Sequence, residues 1–116
     1  MQVAVVQFGR GSSGLGGVSQ DVIADVARMQ KRNGGTVRIV AHASEDFAAS
    51  TPQTIEQGNY DISRRRALAI TNLLMTFGVP RGSIIAEAAS DAEPAFATNT
   101  ARGVAANRRA EVFLDL

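Results

Sequence analysis

The chain has 116 residues, 45% of them hydrophobic, a formal net charge of +1 and no cysteine. That length allows one core and one domain, 1–116. It excludes a disulfide framework, a thiolate metal site and a global field that would attract nucleic acid or anionic lipid. No apolar run approaches the ~20 residues of a membrane-spanning helix.

Gln2 to Phe8 is apolar and β-branched and reads as a buried strand. Gly9 to Gly17 holds five glycines and two serines and is a loop. Ser19 is placed as an N-cap, with Asp21 in the first turn. Val22, Ile23, Val26 and Met29 then recur at helical spacing, and Gly34-Gly35 end the helix. Thr36 to Ala43 is a second strand. Glu45 to Gly58 reads as a polar connection with room for a short helical turn. A second helix is expected from Asn59 or Tyr60 to Phe77, on the stripe Ile62, Ala69, Ile70, Leu73, Leu74 and Phe77, capped by Gly78 with Pro80 beyond. Ser83 to Ala89 is a third strand, Asp91 to Asn107 a loop, and Arg109 to Leu116 alternates as a last strand. The order β-α-β-α-β-β predicts a two-layer α/β (α+β) sandwich, with two main helices on one face of a mixed sheet.

The glycines of Gly9-Arg10-Gly11-Ser12-Ser13-Gly14 match a dinucleotide fingerprint in letters only. The helix does not start within them, and no acid closes the second strand. His42 is the single histidine and reads as a strand-end residue hydrogen-bonded to a neighbouring loop. No serine sits in a nucleophile elbow, so no enzyme, metal or cofactor is implied. The second helix carries the sharper signal. Asn59, Ile62, Ser63 and Arg66 share one face, and Arg66 continues into the apolar stripe at Ile70 and Leu74. A guanidinium in line with core residues needs a partner. It is either structural, tied to a buried carbonyl or an acid, or it meets an anionic ligand.

Three pieces of sequence fall in a recognisable order: Val40-Ala41-His42-Ala43-Ser44, then Asn59-Tyr60-Asp61-Ile62-Ser63-Arg64-Arg65-Arg66-Ala67, then a tail with Pro94, Thr98, Thr100, Gly103 and Asn107-Arg108-Arg109-Ala110. Over nearly its whole length the chain resembles the OmpA-like C-terminal domains. These are the peptidoglycan-binding module also found in peptidoglycan-associated lipoproteins and flagellar stator proteins. The resemblance implies a non-catalytic domain that anchors an outer-membrane or periplasmic protein to the cell wall through the diaminopimelate stem peptide. The location implied is the periplasm, with the domain itself not membrane-inserted. Met1 opens directly onto a strand-like run without a signal sequence, so an export signal is expected to lie outside these residues. Other envelope proteins are the alternative partners, for a scaffold of this kind that has lost ligand binding.

By the same resemblance Arg66 would hold the ligand carboxylate and Asn59 and Arg108 would add hydrogen bonds. Ala43 and Ser44 would line the pocket, with Ile62 on the same helix face. The chain departs from the pattern where the family places an aspartate to receive the ligand ammonium: Ser44 stands there. The segment between the two motifs is also longer than usual, and Val104 follows Gly103 where the pattern has arginine. A neutral hydroxyl in place of a carboxylate removes ~1.5–3 kcal/mol from a charged hydrogen bond. Glu45 and Asp46 follow directly, and Asp46 is the candidate replacement, since two residues of displacement at a strand end restore the side-chain direction. Arg66 is expected in the first two turns of its helix, with free N–H groups at the helix start helping to hold an anion.

Overall fold

The computed structural model describes residues 1–44, 52–90 and 100–116, with the side chains of 52–55 and 101 outside the description. Its elements run β1 (Gln2–Gln7), α1 (Gly17–Asn33), β2 (Thr36–His42), α2 (Pro52–Thr76), a 3-10 turn (Arg81–Ser83), β3 (Ile84–Ser90), α3 (Ala101–Asn107) and β4 (Arg109–Asp115). The sheet order is β1-β4-β2-β3. β4 lies antiparallel to both β1 and β2, while β2 and β3 are parallel and joined through α2. The expected mixed sheet with helices is therefore observed.

Strand alternation and helical periodicity meet in one core. Val6 on β1, Val37, Ile39 and Ala41 on β2, and Ala110, Val112 and Leu114 on β4 face the same way. Ile23, Val26 and Ala27 of α1 and Ala67, Ile70 and Leu74 of α2 pack against them, so both long helices cover one face. Gly78, at φ 96°, lets the chain leave α2 while Val79 N–H bonds back to Leu74 O. Gly34 does the same for α1, bonding Gln30 O at 2.7 Å.

Three boundaries differ from the sequence expectation. α1 is capped at Gly16 rather than Ser19, because Gly16 is extended and its carbonyl already accepts from Gln20 N–H; Asp21 accordingly falls outside the first turn. α2 starts at Pro52, seven residues before the expected Asn59. A proline is tolerated in the first turn of a helix, where its missing N–H has no intrahelical partner. The region read as a loop before β4 contains α3, seven residues long, whose N-cap Thr100 accepts Gly103 N–H on its hydroxyl at 3.0 Å. Small residues give no apolar stripe, which is why the segment reads as a loop in the sequence.

Candidate functional site

Arg66 sits in the middle of α2 rather than in its first two turns, since the helix extends upstream to Pro52. For the same reason no helix start lies at Asn59 to offer free N–H groups to an anion. The helix nevertheless turns Asn59, Ile62, Ser63 and Arg66 to one buried face. Arg66 is 0% exposed. Its Nε donates to Ser12 O at 2.9 Å, Nη1 to His42 O at 3.0 Å and Nη2 to Gly9 O at 2.9 Å. The guanidinium carbon lies 5.0 Å from the centre of the Phe8 ring. Among the described residues, main-chain carbonyls thus engage all three guanidinium nitrogens, which only a planar fork can reach in three directions at once. The glycine-rich loop closes round the arginine: Ser12 N–H bonds Gly9 O, and Gly11 takes φ 64°.

The arginine meets the end of β2, where one backbone group each of His42, Ala43 and Ser44 has a fixed partner. His42 O accepts from Arg66, Ala43 N–H donates to Ser90 O at 2.7 Å, and Ser44 O accepts from Arg108 Nε at 2.9 Å. Arg108 is itself anchored, as its carbonyl accepts Phe8 N–H at 2.8 Å. Arg66, Ala43, Ser44 and Arg108 therefore gather round one strand end. Asn59 and Ile62 lie up to two turns away along the face of α2 that carries Arg66. Ala43 and Ser44 are buried, and Arg108 is half-buried. Asp46, with its neighbour Glu45, lies outside the described residues.

Sequence reasoning missed the partners. Gly9 and Ser12 contribute through carbonyls, which carry no residue identity. Ser90 holds Ala43 from a positive φ of 53°, for which serine gives no signal. On the opposite face of the sheet, His42 Nε2 lies 2.7 Å from Glu111 Oε1, and Arg109 Nη2 lies 3.5 Å from the same oxygen. A strand residue, Glu111 of β4, is thus a partner of His42, two positions after Arg109. Among the described residues no group of three His, Cys, Asp or Glu side chains is placed to hold a metal ion. The arrangement offers hydrogen-bond donors and cationic charge at a strand end.

The model of the OmpA family matches residues 7–108. Among curated proteins, none matches the chain significantly. Solved structures do. The peptidoglycan-associated lipoprotein from Burkholderia pseudomallei superposes with a TM-score of 0.83 at 20% identity, covering 96% of this chain and 89% of that one. The cell wall anchor of the T6SS from Pseudomonas aeruginosa gives 0.76 at 25% identity, covering 96% and 80%. The C-terminal domain of Helicobacter pylori MotB gives 0.81 at 14% identity, covering 98% and 85%.

Proposed function

The chain belongs to the OmpA family, and from that premise we propose that residues 1–116 act as one non-catalytic peptidoglycan-binding domain that anchors an envelope protein to the cell wall. The observation that carries the reading is the convergence of three separated motifs on one strand end. Arg66 of the second motif bonds His42 of the first, and Arg108 of the third bonds Ser44. The similarity to a structure described as a cell wall anchor supports the same reading. The ligand is the stem peptide of peptidoglycan, with its diaminopimelate head at Ser44. Arg108 and Arg66 supply the cationic side for its carboxylate, Asn59 a further hydrogen bond, Ala43 and Ile62 the wall, and Asp46 the acid for the ammonium group. The location is the periplasm, with a tether to the outer membrane; no helix among the described residues is long and apolar enough to cross a membrane.

A second reading has an observation of its own. Arg66 is 0% exposed and already donates to the carbonyls of Ser12, His42 and Gly9, and Ser44 brings no charge. Both features favour a scaffold that has lost the ligand and binds other envelope proteins instead. Co-sedimentation with purified peptidoglycan separates the two. Under the first reading the wild type sediments, Arg108→Ala does not, and Asp46→Asn binds ten- to a hundredfold more weakly, the factor for losing a charged hydrogen bond of ~1.5–3 kcal/mol. A wild type that stays in the supernatant, while Ser44→Asp sediments, establishes the second.

A further inference from the structure

The β2–β3 register runs evenly from Val37↔Ile84 to Ala41↔Ala88 and then slips, so that His42 pairs with Ser90 and β3 carries an extra residue, Ala89. An extra residue of this kind bends a strand and re-aims the residues beyond it. Ser90 is the one non-glycine residue with positive φ among those described. The left-handed region is disfavoured for any residue with a Cβ, so its neighbours must hold it there. One contact on it comes from α2. Ser63 is 0% exposed; its Oγ accepts Ser90 N–H at 3.2 Å and donates to Tyr60 O at 2.8 Å. The Ser90 carbonyl, aimed by this conformation, accepts Ala43 N–H at 2.7 Å. One residue further on, Ser44 O takes the Arg108 Nε–H.

We infer that Ser63 is a positioning residue. Its hydroxyl holds Ser90 in the left-handed conformation, and the Ser90 carbonyl then fixes Ala43 and the direction in which Ser44 leaves β2 toward Arg108. The consequence for binding rests on the peptidoglycan reading; the consequence for the backbone does not. This explains why a serine, rather than an apolar residue, faces the core between Ile62 and Arg66. A methyl group there would leave Ser90 N–H without this acceptor at the bulge.

The experiment measures amide hydrogen exchange by NMR alongside co-sedimentation with purified peptidoglycan. Ser63→Ala is compared with Thr71→Val, which removes a hydroxyl equally buried on the same helix but bonded only within it, to Ala67 O at 2.9 Å. Ser63→Ala is expected to speed exchange at Ala43 about tenfold, the factor for one hydrogen bond. It should also reduce the sedimented fraction severalfold, whereas Thr71→Val leaves both at the wild-type value. Glycine adopts positive φ without help, so Ser63→Ala with Ser90→Gly should restore both. Where Ser63→Ala does not fold, Ser90→Val carries the test, because a β-branched residue resists this φ and should free Ala43 with Ser63 intact. Exchange at Ala43 that is no faster than in Thr71→Val, or no rescue by Ser90→Gly, overturns the inference. A wild type that ignores peptidoglycan refutes the functional reading instead, and the exchange data then decide the positioning role alone.

Discussion

Replacing Arg66 by alanine should damage the fold before it damages any binding. Three carbonyls lose the Arg66 donor, at Gly9, Ser12 and His42, of which Gly9 O keeps the Ser12 N–H. The His42 contact is fully buried and the other two partly so. A buried acceptor left unsatisfied costs ~1–3 kcal/mol, and the loss of a part-buried hydrogen bond ~0.5–1.5 kcal/mol, so the three together cost ~2–6 kcal/mol. The aliphatic stem and the stacking on Phe8 add to that loss. A domain of this size has ~5–15 kcal/mol in all, so Arg66→Ala should be severely destabilised. With an m-value of ~1.5 kcal/mol per M, its urea midpoint by far-UV circular dichroism should fall by ~1.5–4 M. Arg66→Lys should recover only part, because one ammonium cannot reach three carbonyls set at different angles. A midpoint shift under ~0.5 M with an unchanged m-value would show that these carbonyls do not depend on Arg66. Loss of peptidoglycan binding in Arg66→Ala is therefore informative only beside a melting curve.

The two glycines after α1 should separate strain from collision. Gly35 has φ 89° and a Cβ there would lie 2.6 Å from Asp115 O, whereas Gly34, at φ 73°, has nothing within 4 Å. Gly34→Ala should cost ~1–3 kcal/mol, since φ 73° with ψ −161° is backbone essentially reserved for glycine, and Gly35→Ala more, with an overpacking cost of ~1–3 kcal/mol added; equal melting temperatures would contradict the packing of β4 against this turn. Asp115 is held below the ordinary carboxylate value, first by the hydrogen bond from Arg38 Nε at 2.9 Å and then by the charge of Arg38, against partial desolvation. The folded state thus binds this proton less readily than the unfolded one. Its contribution is fully present above the ordinary value of ~3.9 and is lost as pH falls through the lower folded value. A carboxyl carbon NMR titration should place the Asp115 midpoint below ~3.9 and raise it toward that value in Arg38→Ala, with the Met1 ammonium at 3.6 Å still lowering it; an unchanged midpoint would refute the pairing.

Much of the architecture was legible because it depends on local pattern. β-branched runs at Gln2, Thr36 and Arg109 gave strands, and the spacing of Ile23, Val26, Ile70 and Leu74 gave two helices. Gly34 and Gly78 gave the helix ends. The shared face of Asn59, Ile62, Ser63 and Arg66 followed from helical geometry alone, and the order of three motifs indicated the family. The start of α2 at Pro52 and the presence of α3 were not legible, because short polar or small-residue helices have no apolar stripe to announce them. The position of β4 between β1 and β2 was not legible either, since strand order depends on contacts far apart in sequence. Most of all, the sequence made Arg66 a buried cation in need of partners but could not say which. Its acceptors come from residues 24, 54 and 57 positions away. They are main-chain carbonyls, and every residue carries the same carbonyl. Only the path of the folded chain, bringing the glycine loop and the end of β2 to one side chain, decided that the carbonyls of Gly9, Ser12 and His42 meet it.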